Sequence, residues 1–143
     1  MRVLCDTNIL ISYLLAPENT GTIATVVERA YAGDYTLVLP AEVIGELRKK
    51  VAKKAWLTAR IPQAAVEKFV AALSAIALTP EPITDPLPQV GRDRKDDYLL
   101  AYGTVAACEY LVTGDPDLLV LRQVGNLKII NPSTFLTVLQ KRE

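Results

Sequence analysis

Short apolar runs alternate with longer amphipathic segments along this chain, and this alternation constrains the fold more than any other feature. Four runs have the composition of buried strands: RVLC (2–5), YTLVL (35–39), EYLVTGD (109–115) and LKII (127–130). Helical periodicity is found in six segments: 9–16, 22–32, 41–55, 62–77, 96–108 and 134–141. The proline-rich segment 79–92 is predicted to be a loop. This pattern predicts an α/β fold, a single three-layer domain over residues 1–143 with a central parallel sheet flanked by helices.

Composition excludes several kinds of active site. The chain has no histidine, which rules out Ser-His-Asp triads, Cys-His nucleophile pairs and histidine-ligated zinc. Cys5 and Cys108 lie apart in apolar sequence and are predicted to be buried thiols in a reducing compartment. Sixteen basic residues balance sixteen acidic ones, so a nucleic-acid surface would have to be a local patch. No segment approaches the roughly 20 apolar residues of a membrane span, and we expect a soluble cytoplasmic protein without membrane contact.

Three aspartates lie where predicted strands end or a predicted helix begins. Asp6 follows the first strand, Asp115 ends the third, and Asp97 lies in the first turn of helix 96–108. Because binding sites of α/β sheets lie beyond the carboxyl ends of the strands, the three carboxylates should meet if these strands are neighbours. Such like charges raise each other's pKa unless a cation neutralises them, and Mg²⁺ or Mn²⁺ prefers oxygen ligands. The sequence therefore predicts a Mg²⁺ or Mn²⁺ site held by Asp6, Asp97 and Asp115.

Helix geometry selects Glu46 as a fourth candidate. The apolar side chains of helix 41–55 form a stripe that faces the core: Val43, Ile44, Leu47 and Val51. Glu46 falls on the flank of this stripe, where a carboxylate can lean over a cleft. Glu42 points almost directly away from the stripe and is predicted to be a solvated or first-turn acid.

Each acid also has a structural interpretation. Asp6 could cap the first helix, for which Thr7 or Asn8 is the predicted cap. Asp115 fits ordinary turn chemistry, and Asp96 and Asp97 suit a helix N-terminus. Glu46 alone could be a solvated helix residue. The joint placement of the set at strand ends and helix starts favours a site.

Three stretches resemble the PIN-domain nucleases, and the resemblance spans essentially the whole chain in the right order. They are CDTNILIS (5–12), the glutamate of PAEVIGEL (40–47), and RKDDYLLAYGTVAACEYLVTGDPDLL (94–119). The similarity is closest to small prokaryotic members that are the toxins of toxin–antitoxin pairs. It implies a parallel sheet flanked by helices and metal-dependent cleavage of single-stranded RNA.

The resemblance also implies roles for individual residues. The catalytic acids fall on Asp6, on Glu46, on the pair Asp96-Asp97 and on Asp115. Asp97 is favoured over Asp96 because an aromatic, two leucines and an alanine follow it, as in the family pattern; Asp96 remains the alternative. Further positions would have supporting roles: Asp117 toward an optional second metal, Asn8 and Thr113 in orienting Asp6 and Asp115, and Arg92, Arg94 and Lys95 as cations near the acids.

The expected reaction is phosphodiester hydrolysis in which one or two metal ions acidify a water and stabilise phosphate charge, while Glu46 positions or deprotonates that water. A basic run within residues 48–60 could bind the RNA: Arg48, Lys49, Lys50, Lys53, Lys54 and Arg60. Trp56 could stack a base, although a solvated helix end with Trp56 in packing explains the run equally well.

The remaining expectations concern partners and competing functions. An antitoxin protein is a possible partner, and the apolar helix 62–77 offers a surface for a homodimer. An RNA-maturation nuclease and a catalytically inactive RNA- or partner-binding module are the alternatives to a toxin. A phosphatase with Asp-x-Asp after its first strand ranks low, because Asp6-Thr7-Asn8 lacks the second acid.

Overall fold

A computed structural model describes residues 1–16, 21–84 and 97–142, and these residues form a sheet between layers of helices. The strands are β1 (Arg2–Cys5), β2 (Thr36–Val38), β3 (Tyr110–Val112), β4 (Gln123–Val124) and β5 (Leu127–Ile130). The helices of these residues are α1 (Thr7–Leu15), α2 (Thr22–Tyr31), α3 (Ala41–Lys53), α4 (Ala55–Arg60), α5 (Gln63–Ile76), α6 (Asp97–Val105), α7 (Pro116–Leu119) and α8 (Pro132–Lys141). The predicted α/β fold is confirmed.

The strands pair in the order β2-β1-β3-β5-β4, and all neighbours are parallel except β4 and β5. In the register, Leu4 of β1 lies between Val38 of β2 and Leu111 of β3. The chain leaves β1 toward β2 on one side, while β3 lies on the other side. The strand order therefore reverses between β1 and β3, which is where α/β sheets bind ligands.

Both faces of the sheet are covered. Val3 and Leu4 point to opposite faces, and both are fully buried. Helix α6 packs on β1, β3 and β5, while α1 packs against α3, and α2 against α8. Short, fully apolar strands are typical of parallel sheets of this kind.

The predicted helix 41–55 is α3, which ends two residues earlier than predicted, at Lys53. Lys54 takes an extended conformation (φ −102°, ψ 117°), and a separate helix without a predicted counterpart, α4, begins at Ala55. The Thr58 hydroxyl of α4 donates a hydrogen bond of 2.6 Å to the carbonyl of Val51, one of the carbonyls that a helix end leaves without a partner. Neither Gly nor Pro marks the break, so periodicity alone could not place it. Trp56 consequently lies on α4 and not at the end of the basic face of α3.

Other elements and surfaces differ from their predictions in informative ways. The short α7 and β4, which had no predicted counterpart, form in the segment after β3. The apolar stripe of α5 packs within the chain, since Val66, Phe69 and Leu73 are buried, so this face is used inside the monomer. Among the described helices, none has the length and apolarity needed to cross a membrane.

Both cysteines are buried free thiols, as predicted. Burial, with a contribution from Asp6, raises the pKa of Cys5 to about 12, and burial raises the pKa of Cys108 to about 11. Because a thiolate is the nucleophilic form, neither residue is a reactive cysteine.

Candidate active site

Asp6 lies at the carboxyl end of β1 and is only 4% exposed. Its Oδ1 accepts a hydrogen bond from the backbone N–H of Asn8 at 3.4 Å, and its Oδ2 accepts one from the Thr113 hydroxyl at 2.8 Å. Burial raises the pKa of Asp6 above its ordinary value, although these hydrogen bonds and the Lys50 ammonium oppose the effect. The protein alone therefore compensates the charge of this carboxylate incompletely.

The bond to Asn8 makes Asp6 the N-cap of α1. The prediction that Thr7 or Asn8 caps this helix is therefore wrong, because the cap is the residue before them. Asp6 therefore is both a helix cap and a residue of the candidate site. One carboxylate oxygen caps α1, and the other accepts a hydrogen bond from Thr113.

Thr113 connects Asp6 to Asp115. Its fully buried hydroxyl donates to Asp6 and accepts the backbone N–H of Asp115 at 3.0 Å. The Asp115 Oδ1 accepts the N–H of Asp117 at 2.9 Å and thereby caps α7. The structure thus brings the end of β3 beside Asp6, as expected for neighbouring strands, and the turn interpretation of Asp115 also holds.

Glu46 enters the site from α3. Its Oε1 lies 2.8 Å from the Lys50 ammonium, and its Oε2 accepts a hydrogen bond from the Tyr98 hydroxyl. Burial raises the pKa of Glu46, but the bonds from Lys50 and Tyr98 outweigh burial, so the pKa lies below its ordinary value. Burial is the main reason that the pKa of Asp6 is raised, and the Glu46 charge adds a smaller contribution in the same direction.

Two tyrosine–glutamate hydrogen bonds join α6 to α3. Tyr98 donates to Glu46, and one turn along each helix Tyr102 donates to Glu42. The Tyr102 hydroxyl also accepts the N–H of Ile83 at 3.0 Å. Burial and the Glu46 charge raise the pKa of Tyr98, so its phenol stays a donor at neutral pH. Glu42 is exposed and lies in the first turn of α3, as predicted, and its carboxylate also accepts the hydrogen bond from Tyr102.

Asp97 is the first residue of α6 and is 5% exposed. It adjoins Tyr98, whose hydroxyl donates to Glu46, so the first turn of α6 lies at the site. Asp96, the alternative to Asp97, lies outside the described residues, as do Arg92, Arg94 and Lys95.

The oxygen chemistry of this site fits a hard divalent cation, because a buried carboxylate with a raised pKa needs a counter-charge. The Thr7 hydroxyl, near enough to Glu46 to lower its pKa, is buried and makes no hydrogen bond of normal geometry within the described part of the chain. The separations of the described acidic residues, however, do not match a complete set of ligands for one metal ion. Over residues 1–16, 21–84 and 97–142, no three acids form a group that could hold a metal ion.

A cleft of about 950 Å³ opens beside Glu46. It is lined by Asn8, Ile11, Ser12, Glu42, Glu46, Lys49, Lys50, Lys53, Lys54, Trp56, Leu57 and Tyr98. Four of the six cations of the predicted basic run therefore face one cavity. Arg48 does not, since its guanidinium makes two hydrogen bonds, of 2.7 and 3.0 Å, to Glu67 of α5.

The sequence missed Lys50, Tyr98, Tyr102 and Glu42 as parts of this network. The sequence does contain a pattern that could have indicated the network: Glu42 and Glu46, like Tyr98 and Tyr102, are four residues apart, which places the two members of each pair on one face of their helix. Asn8 orients Asp6 through its backbone N–H, while its side-chain oxygen accepts from Lys50 at 3.3 Å. Thr113 orients Asp6 and the Asp115 backbone, as predicted.

Comparison with known proteins agrees with the α/β fold. A family model described as PIN domain matches residues 2–117 of this sequence. Comparisons with curated proteins and with solved structures gave no significant match. The family match covers most of the chain, including Asp6, Glu46, Asp97 and Asp115. This chain therefore belongs to the PIN-domain family, whose members are generally nucleases that use divalent metal ions.

Proposed function

We propose that this protein is a metal-dependent endoribonuclease that hydrolyses phosphodiester bonds of single-stranded RNA. The observation that carries the proposal is that the buried carboxylate of Asp6 follows β1, where the strand order reverses, while Glu46 lines a cleft together with four lysines. Acids in such a position suit metal-assisted hydrolysis, and the lysines suit a polyanionic substrate.

Asp6, Asp97 and Asp115 would hold Mg²⁺ or Mn²⁺. When bound, such an ion would acidify water and stabilise negative charge on the phosphate oxygens. Asp6 suits this role because two hydrogen bonds fix both of its oxygens and its charge is incompletely compensated. Asp97 and Asp115 would complete the ligand set from the start of α6 and the end of β3.

Glu46 would position the attacking water or accept its proton at the carboxylate. A pKa below the ordinary value keeps Glu46 ionised at neutral pH, so it can accept a hydrogen bond from water. Tyr98 and Lys50 hold one carboxylate oxygen each. These two residues would therefore fix the direction in which Glu46 acts.

The cleft lysines would bind the phosphates of the RNA. Lys49, Lys53 and Lys54 are exposed, whereas Lys50 is half-buried against Glu46 and Asn8. Replacing the three exposed lysines by glutamine should weaken RNA binding and reduce its salt slope by about 2, at roughly 0.7 per phosphate contact. A matched triple variant of exposed lysines outside the cleft, K68Q/K128Q/K141Q, should leave the slope near that of the wild type.

The decisive experiment is cleavage of labelled single-stranded RNA in EDTA, Mg²⁺ and Mn²⁺ by the wild type, Asp6→Asn and Asp97→Asn. We expect cleavage by the wild type only with added metal and a loss of at least about 100-fold in each variant. Cleavage that persists in EDTA or in both variants would overturn the metal mechanism. Activity on small phosphomonoesters with none on RNA would favour the phosphatase alternative.

A second candidate is a PIN domain that binds RNA or a protein partner without catalysis. The observation that favours it is that no three acids are grouped for a metal within the described residues. Calorimetric titration with Mn²⁺ separates the two functions. Binding that is lost in Asp6→Asn supports the nuclease, whereas no binding by the wild type supports the inactive module.

The biological role that we propose is the toxin of a toxin–antitoxin pair acting in the cytoplasm, with an antitoxin partner and a homodimeric state. It rests on the resemblance of the sequence to small prokaryotic toxins. Induced expression should arrest bacterial growth for the wild type and not for Asp97→Asn, while an RNA-maturation nuclease should not arrest it. A small upstream reading frame with a DNA-binding motif would support an antitoxin, and light scattering would test the dimer.

A further inference from the structure

Trp56 is the only tryptophan of the chain. The residue lies at the wall of the cleft and is 56% exposed. The core contact of α4 is made by the next residue, Leu57, which is 4% exposed. More than half of the Trp56 surface thus remains accessible for a ligand. An exposed large aromatic ring in a charged cleft indicates a binding role.

The lysines around Trp56 have different partners. Lys50 is committed to Glu46 and Asn8. Within the described residues no acid pairs with Lys49, Lys53 or Lys54, which line the same cavity as the indole. The cleft thus presents three uncompensated positive charges and one flat aromatic face.

We propose that the Trp56 indole stacks on an unpaired base of a single-stranded RNA whose phosphates lie along Lys49, Lys53 and Lys54. This inference rests on the proposed function, since the same strand would continue past Glu46 toward Asp6. Stacking on an aromatic ring accepts any base, because every base has a π face, but it requires a base that is not paired in a duplex. Trp56 would therefore select single strands without selecting sequence.

An acidic protein segment would also match the lysines. The cleft favours RNA because its wall carries the Trp56 ring, on which a base can stack, whereas an acidic side chain has no aromatic ring to place there.

Intrinsic fluorescence tests the proposal directly, since all tryptophan emission comes from Trp56. The full chain in EDTA is titrated with an oligouridylate of about eight nucleotides and with an abasic ribose-phosphate chain of the same length. We expect the oligouridylate to quench the emission and the abasic chain to bind on the order of 10-fold more weakly with little quenching. Equal affinity and equal quenching by the two chains would overturn the proposal, as would displacement of the RNA by polyglutamate at equal charge concentration.

Variants separate stacking from packing. Binding of a fluorescently labelled oligouridylate, measured by anisotropy, should weaken roughly 5- to 50-fold in Trp56→Leu and by less than about threefold in Trp56→Phe, which keeps a ring. Wild-type affinity of Trp56→Leu, with an unchanged circular dichroism spectrum, would overturn the stacking role. Val105→Ala, at an exposed apolar position outside the cleft, should bind like the wild type.

The same oligonucleotide, incubated with Mn²⁺, reports on the proposed function separately. Quenching of the Trp56 emission without cleavage would reject the proposed nuclease function and support base stacking on Trp56. Cleavage with unchanged binding in Trp56→Leu would keep the nuclease and reject the base site.

Discussion

The Thr113 hydroxyl lies 2.8 Å from the Asp6 Oδ2, and this hydrogen bond joins the ends of two neighbouring parallel strands. The two residues are 107 positions apart in the sequence. Thr113 also accepts the Asp115 N–H, so one buried hydroxyl fixes the direction of Asp6 and the path of the chain toward Asp115.

Replacing Thr113 by valine should therefore disturb both stability and activity. Valine has nearly the same shape but leaves the Asp6 Oδ2 and the Asp115 N–H without their partner. We expect a loss of about 1–3 kcal/mol in the free energy of unfolding, measured in urea, and a lower cleavage rate. Thr113→Ser keeps the hydroxyl and should lose less stability and keep most of the rate. Equal behaviour of the two variants would show that the hydroxyl has no role.

Asp6→Asn should stabilise the metal-free protein at neutral pH. Because burial raises the pKa of Asp6 in the folded state, folding is favoured while Asp6 is protonated, and this advantage is lost as pH rises from the unfolded-state pKa, about 3.9, through the folded-state pKa. The variant should match the wild type below about pH 4 and exceed it by about 0.5–2 kcal/mol at pH 7. Thermal unfolding across this pH range, in EDTA, gives the measurement.

Added Mn²⁺ provides the control for Asp6→Asn. An ion that binds the folded state raises the unfolding temperature of the wild type and leaves that of the variant unchanged. A variant that is less stable than the wild type at pH 7 in EDTA would contradict the assignment of Asp6 as an incompletely compensated charge.

Lys50→Met should move the acid limb of the pH–rate profile to higher pH. Lys50 lowers the pKa of Glu46 against the opposing effect of burial, so its removal raises that pKa, and Glu46 loses its charge at a higher pH. Lys49→Met removes a neighbouring charge of the same cleft that is not paired with Glu46. We expect Lys49→Met to raise KM while the acid limb of the pH–rate profile stays at the pH of the wild type. Coincident acid limbs in Lys50→Met and the wild type would argue against Glu46 as the titrating group.

Gly103→Ala should destabilise the fold by about 1–3 kcal/mol. A Cβ at this position of α6 would lie 2.5 Å from the Leu127 Cδ2, and Leu127 is a buried residue of β5. Gly45→Ala is the matched control, because a Cβ in that helical position meets nothing within 4 Å. It should stabilise the protein by up to about 1 kcal/mol through helix propensity. Urea unfolding of both variants tests the close approach of α6 to the sheet.

The local elements could be predicted because their signals are local. The run LKII is a strand with the predicted bounds, and β1 begins and ends where the RVLC run does. The break at Lys54 could not be predicted, since it depends on Thr58 reaching back to Val51 and not on a helix-breaking residue. The cap of α1 is not selected by the sequence pattern, because Asp6, Thr7 and Asn8 all belong to residue types that cap helices, and only the bond from the Asn8 N–H to the Asp6 Oδ1 identifies Asp6 as the cap.

The sequence by itself determined the parallel α/β architecture and placed acids at strand ends, because apolar periodicity dictates which faces are buried. Only the tertiary structure decided which side chains share the site. The pairing of Tyr98 with Glu46 and of Tyr102 with Glu42 depends on how α6 docks against α3. The division of the basic run, with Arg48 on Glu67 and four lysines in the cleft, depends on the position of α5. Contacts between elements far apart in the chain are set by packing and have no periodicity in the sequence.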